Sequence, residues 1–200
     1  MNNTLHIICT VYGRALNLRV LIGSILLQTD PRWRLYIVHD GPAGEDIMAV
    51  IREAQDPRIK FECTNSVNGY WGHPNRKIML SKIPFNQKDF VLITNDDNYY
   101  VPTFVEVMLQ HTGKAANQIG LVYCNTLHSY LQYDVLKTAL KRKFIDMGSF
   151  IVRVDVARKV GFNAVEEFEA DGIYAEACAE YCHRFRLRSI YVQKTLFVHN

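Results

Sequence analysis

The sequence predicts an α/β domain built on a mostly parallel sheet, and three observations carry that expectation. Short apolar runs alternate with segments of helical periodicity along the whole chain, which is the signature of repeated βα units. The run Val91-Leu92-Ile93 does not alternate with polar residues, so it reads as a strand covered on both faces. It ends abruptly in Thr94-Asn95-Asp96-Asp97-Asn98, which puts carboxylates at the carboxyl end of a buried strand, where open parallel sheets bind their ligands.

The elements follow in order. Leu5 to Cys9 is a first strand, with Thr10-Val11-Tyr12-Gly13-Arg14 as the loop after it. Leu18, Leu21, Ile22, Ile25 and Leu26 recur at helical spacing, and Asp30-Pro31 stops that helix. Arg34 to His39 is a second strand running into Asp40-Gly41, and Glu45 to Gln55 a helix with acids in its first turn. A short strand from Arg58 to Cys63 precedes a polar, glycine-bearing segment, Thr64 to Asn75, long enough for a binding loop. A helix over Asn75 to Ser81 leads to the central strand. Beyond it come a helix from Thr103 to Ala116 and a buried strand from Ile119 to Cys124. Met147 to Val152 reads as a strand, Asp155 to Val160 as a short helix stopped at Gly161, Asp171 to Arg184 as a longer helix, and Arg188 to Val198 as a closing strand.

Composition limits the functions available. The 200 residues, 48% of them hydrophobic and 22% charged, suffice for one domain with a substantial core. A net charge of +3 is too small to argue for nucleic acid as a partner, and none is expected, though it would not repel a phosphorylated ligand. Five cysteines, an odd number without paired spacing, point to reduced thiols and a cytoplasmic setting. Cys178, Cys182 and His183 lack the second ligand pair that a zinc finger needs. No basic leader precedes an apolar stretch, and nothing approaches 18 consecutive apolar residues, so neither a signal peptide nor a transmembrane segment is expected.

The loops ending strands one, two and four therefore open on one edge. In their order and spacing they resemble the family-two glycosyltransferases of the GT-A, or nucleotide-diphosphosugar transferase, fold. Thr10 to Arg14, Val38-His39-Asp40-Gly41, and Asn95 to Asn98 followed by Pro102 and Phe104 carry the likeness. Gly148 to Phe162, Glu169-Ala170-Asp171 and Phe197-Val198-His199 extend it over almost the whole chain.

That resemblance implies an inverting enzyme that moves a sugar from a nucleotide-sugar donor, UDP-linked by default, to a hydroxyl acceptor. It divides the chain into a nucleotide-binding half, 1–125, and an acceptor-side half, 126–200. It implies that Thr10, Tyr12, Arg14 and Asp40 hold the nucleotide, and a carboxylate suits the N–H groups of uracil or guanine. The Asp-x-Asp motif falls on Asn95-Asp96-Asp97, with an amide in place of its first acid. Asp97 inherits the metal role and Asp96 a ribose or supporting role.

His199 matches a terminal histidine that contacts metal or diphosphate, and imidazole suits Mn2+ better than Mg2+. Arg76 is similarly implied at the diphosphate. Inversion requires a carboxylate base beside the acceptor, and the family's acidic pair falls on Glu169 and Asp171. Asp171 is the expected base, with helix capping as its structural alternative. Gly148-Ser149-Phe150 is the expected acceptor-side wall. Tyr70 and Trp71 are expected either to cover core or to stack on a sugar or base. The tyrosine-rich segment from Tyr123 to Tyr133 suits a saccharide or a contact in a homo-oligomer. A sugar-phosphate nucleotidyltransferase and a catalytically degenerate binder are the competing functions.

Overall fold

A computed structural model describes residues 3–83, 86, 88–113 and 118–200. In chain order it comprises β1 (Leu5–Val11), α1 (Ala15–Leu26), β2 (Trp33–His39), α2 (Glu45–Ala54), β3 (Ile59–Cys63), α3 (His73–Lys82), β4 (Phe90–Asn95), β5 (Tyr99–Tyr100), α4 (Phe104–Gln110), β6 (Ile119–His128), β7 (Asp134–Leu136), β8 (Phe150–Arg153), α5 (Val154–Val160), α6 (Ala170–Arg184) and β9 (Arg188–His199). The expected elements are present, with ends shifted by a few residues. Thr10 and Val11, expected in a loop, extend β1 because they pair with Val38 and His39. The helix expected to reach residue 116 ends at Gln110, and the expected end point lies outside the described residues.

The strands form one sheet in the order β3-β2-β1-β4-β8-β6-β9-β5, with β7 paired to β6. The sheet is mixed. Strands β3, β2, β1 and β4 are parallel, as βα units require. Strand β8 then runs antiparallel to both β4 and β6, while β9 returns parallel to β6. Strands β5 and β7 span two and three residues, too short to leave a periodic trace in the sequence.

Both faces of the sheet are covered, and the period of two in the strands sorts their side chains. Leu5, Ile7, Cys9 and Val11 of β1 pack with α1, α2 and α4, whereas Ile8 packs with α3, α5 and α6. The same split places Leu92 on one face and Val91 and Ile93 on the other. Cys178 and Cys182 belong to the second core, and burial pushes both thiols up, Cys182 to about 11. They are packing residues, and His183 beside them is exposed.

Register fixes the functional edge. Thr10 pairs with Asn95 across β1 and β4, and Val11 with His39 across β1 and β2. The loops carrying Arg14, Asp40 and Asp96 therefore leave the sheet side by side. On the far side β5 pairs with the end of β9, Tyr99 opposite Val198, which brings the Asp97 turn to the terminal histidine.

Beneath this edge Gly148 sits against aromatic rings: a β-carbon there would lie 2.5 Å from Phe197 and 2.8 Å from the Tyr100 hydroxyl. Gly148→Ala should therefore lower stability by about 1–3 kcal/mol through overpacking, read as a lower urea midpoint at unchanged slope. An unchanged midpoint would mean that the rings are free to move aside.

Candidate active site

The end of β4 is built around buried charge. Asp96 has no solvent exposure, and Asn98 and Tyr100 lock the turn behind it by donating to Thr94 Oγ1 at 3.0 and 2.7 Å. Arg14, in the loop after β1, reaches across to both carboxylates. Its Nε donates to Asp96 Oδ2 at 3.1 Å, its Nη2 to Asp96 Oδ1, and its Nη1 to Asp97 Oδ2 at 2.6 Å. Burial nevertheless pushes the Asp96 carboxyl up to about 6, against the pull of Arg14. The second oxygen of Asp97, Oδ1, is buried without a hydrogen-bond partner. It is a spare acceptor beside the edge of the sheet.

The end of β2 is equally committed. Asp40 is 5% exposed and accepts from Asn68 N at 2.8 Å, Gly69 N at 3.0 Å and Asn75 Nδ2 at 2.8 Å. Its carboxylate organises the loop after β3 while one flank faces the cavity. His39 ties the first two loops together, donating from Nδ1 to Gly41 O at 2.8 Å and accepting at Nε2 from Gly13 N at 3.3 Å.

The loop after β3 ends in four consecutive residues of positive φ: Gly69 at 70°, Tyr70 at 47°, Trp71 at 52° and Gly72 at 80°. Only glycine adopts this region freely, so Tyr70 and Trp71 each cost on the order of 1–2 kcal/mol. Both are exposed, at 51% and 59%, so they do not cover core. Gly72 is required by its φ and by contact, since a β-carbon there would meet Thr10 Oγ1 at 2.8 Å. Thr10 thus seats this loop as well as lining the cavity.

Arg76 rises from α3 and is 4% exposed. Its Nη2 donates to Asn95 Oδ1, and its Nε has no partner. Burial lowers its guanidinium to about 10, a change that Asp171, Asp146 and Asp96 oppose through charge. It is a buried cation with unspent donor capacity.

The opposite wall carries the remaining acids and imidazoles. Asp171 occupies the first turn of α6, and its Oδ1 accepts from Gly172 N at 2.7 Å. The capping position is held by Glu169, whose side chain caps nothing. Burial, and then the charge of Asp146, push the Asp171 carboxyl up to about 6. Glu169 is more open and lies 3.7 Å from Lys143 Nζ.

His199 bonds Ser129 Oγ through Nδ1 at 3.0 Å, faces Asp146 Oδ2 through Nε2 at 3.6 Å, and stacks on His128 with centroids 4.2 Å apart. His128, Asp146 and His199 offer ligand atoms that all lie within 4.8 Å of one another. Two imidazoles and a carboxylate suit a divalent transition metal, and Asp97 lines the same cavity. Sequence reading missed Asp146 and did not assign His128 to this edge. Their signal is spatial: β6 runs four residues past its expected end, which brings His128 level with His199 in the β6–β9 pairing.

These walls enclose one cavity of about 910 Å3. Nine of the ten residues expected at the site line it: Thr10, Tyr12, Arg14, Asp40, Arg76, Asp97, Glu169, Asp171 and His199. Asp96 lies behind Arg14 and supports the site from the interior. Of the expected acceptor-side wall, Gly148 and Ser149 are buried under the floor, and Asp146 and Met147 face the cavity in their place.

No protein-family model matches the chain. In sequence it is similar to Protein CgeD of Bacillus subtilis (strain 168), 26% identical over 118 residues, which cover 55% of this chain and 26% of that protein. In structure it is similar to S. aureus TarS 1–349 in complex with UDP-GlcNAc, with a TM-score of 0.73, 15% identity, and 98% of this chain and 58% of that one covered. It is likewise similar to the mannosyltransferase PcManGT from Pyrobaculum calidifontis in complex with GDP-Man and Mn2+, with a TM-score of 0.71, 14% identity, and 100% and 57% covered. The chain spans about a quarter of CgeD and less than two thirds of these solved chains. The fold is the GT-A type seen in glycosyltransferases.

Removing the counter-charge of Asp96 has a pH-dependent consequence. With Arg14→Gln the buried carboxylate loses its partner, so stability at pH 8 should fall by about 1–3 kcal/mol. The loss should shrink at pH 5, below the value near 6, because the carboxyl is then protonated. Urea denaturation at the two pH values checks this, and an equal loss at both would separate Arg14 from the Asp96 charge.

Proposed function

We propose that this chain is a glycosyltransferase domain that transfers a sugar, with inversion, from a nucleoside-diphosphate donor to a hydroxyl acceptor. The observation that carries the reading is the single GT-A cavity with Arg76 and Asp97 on one wall and a raised-pKa carboxylate, Asp171, on the other. Residues 1–125 supply the nucleotide side and 126–200 the acceptor side. UDP is the favoured nucleotide, in keeping with TarS in complex with UDP and with UDP-GlcNAc.

The charge balance supports a metal. Five carboxylates (Asp40, Asp97, Asp146, Glu169 and Asp171) and three cationic side chains (Arg14, Arg76 and Lys143) line the cavity. An anionic diphosphate entering such a site needs added positive charge. Asp97 and His199, with Asp146 and His128 beside them, would hold that ion, and its imidazole content favours Mn2+ over Mg2+. When bound, it would supply charge stabilisation to the departing diphosphate.

The chain's own groups account for the rest. Arg76 donates to diphosphate oxygens from a dry site, where such bonds are strong. Asp171 accepts the acceptor's proton as that oxygen attacks the anomeric carbon and the bond to the nucleoside diphosphate breaks. Glu169, more open to water, is the rival base. The five free cysteines fit a reducing, cytoplasmic setting, and among the described residues no helix is long and apolar enough to cross a membrane.

A catalytically silent nucleotide-sugar binder is the second reading. It is favoured by Arg14, whose guanidinium already occupies both carboxylates of the Asp96-Asp97 pair.

Turnover of UDP- and GDP-sugars, measured as released nucleoside diphosphate with Mn2+ present, tests the proposal. At least one donor should be consumed, and Asp171→Asn should reduce the rate by ~10^2–10^4-fold. No turnover of any donor would favour the silent binder, and a variant that keeps most of its rate would transfer the base role to Glu169. The same assay has a pH signature. A base must be deprotonated, so kcat/KM should rise through a midpoint of about 6 and level off above it; a flat profile from pH 5 to 8 would contradict the assignment.

A further inference from the structure

Two large aromatic side chains at the cavity have no part in the chemistry above. Trp71 is 59% exposed and Phe168 is 71% exposed, yet they meet edge to face with centroids 5.5 Å apart. Both line the cavity. They come from elements distant in sequence: Trp71 from the left-handed run after β3, Phe168 from the segment leading into α6.

Trp71 is held in place from behind. Gly72, pressed against Thr10, anchors one side of its turn. His73 packs on the indole at 5.7 Å, Phe162 on His73 at 5.5 Å, and Tyr174 on Phe162 at 5.3 Å, a ladder of rings running into the second core. Burial holds His73 down at about 4, so the ladder is uncharged at neutral pH. A strained, rigidly backed and half-exposed indole presents a flat face to whatever enters.

Position selects the occupant. Phe168 immediately precedes Glu169 and lies three residues before Asp171, so a ring resting on it sits beside the candidate bases. The diphosphate-facing groups, Arg76 and Asp97, are deeper, with Arg76 almost wholly buried. At about 910 Å3 the cavity is at the upper end of the range for one drug-sized ligand, ~300–1,000 Å3, which leaves room for a second substrate. A pyranose has one face of C–H bonds with slight positive charge, which complements the negative face of an aromatic ring, and its rim of hydroxyls meets the surrounding polar groups. We propose that Trp71 and Phe168 form an acceptor subsite that stacks a pyranose ring and turns one of its hydroxyls toward Asp171 or Glu169. The subsite rests on the glycosyltransferase reading only for the purpose it serves.

The chain carries its own reporter. It has two tryptophans, and Trp33 is 1% exposed, so changes in emission at the surface report Trp71. The full chain, saturated with UDP and Mn2+, is titrated with methyl glucopyranoside, methyl mannopyranoside and methyl N-acetylglucosaminide, with the open-chain polyol sorbitol as control. At least one pyranoside should shift the emission saturably while sorbitol does not. Phe168→Ala should weaken that binding tenfold or more, Phe168→Tyr should restore it, and UDP affinity should stay within twofold of wild type in both.

Emission indifferent to every pyranoside would overturn the subsite. So would a Phe168→Ala chain that loses UDP and keeps the pyranoside, since the pair would then stack the nucleobase. Pyranoside binding in a chain that binds neither UDP nor GDP would leave the subsite standing and overturn the glycosyltransferase reading instead.

Discussion

A carboxylate with no access to water, Asp96 at the end of the central strand, sets the terms for the rest of this molecule. An ion so buried is tolerable only with a close counter-charge, and Arg14 supplies it from the neighbouring loop. Arg14 stays there because its loop is pinned: Gly13 N donates to His39, and Asp40 N donates back to Val11 O at 2.9 Å. Asp40 in turn gathers the loop after β3 through three hydrogen bonds. The three loops are therefore one electrostatic unit. Asp97, next in the chain, lines the cavity and keeps one buried oxygen without a hydrogen-bond partner.

The second wall is coupled to the first through charge. Arg76 feels Asp171, Asp146 and Asp96 together, and Asp171 feels Asp146. Burial, and then the charge of Asp146, raises Asp171 into the range where a carboxylate can exchange protons near neutrality. Five carboxylates line the cavity against three cationic side chains, so a bare diphosphate would meet an excess of negative charge there.

Much of this was legible in the sequence, because it depends on short-range pattern. Continuous apolar runs ending in Asp40 and in Asp96-Asp97 mark buried strands with acids at their carboxyl ends, and parallel topology then brings those ends together. Other features depend on contacts that no local pattern encodes. His128 joins His199 only because β6 and β9 pair in a bulged register, and Asp146 reaches them from the turn before β8. Glu169, not Asp171, takes the capping position because α6 begins one residue early, at Ala170. Sequence left Trp71 open between core and cavity, and four successive residues of positive φ turn it outward. The burial of Gly148 and Ser149 follows from the packing of Phe197 and Tyr100, which strand pairing alone brings near.

On the proposed reading, the paired walls bind a nucleoside diphosphate through a divalent cation. Calorimetric titration of the full chain with UDP and with GDP, each with Mn2+ and with EDTA, addresses it directly. One of the two should bind at least tenfold more tightly with Mn2+, equivalent to about 1.4 kcal/mol, and Arg76→Ala should abolish most of that affinity. Absence of binding by either nucleotide under both conditions, or affinity indifferent to Mn2+ and to Arg76, would contradict it.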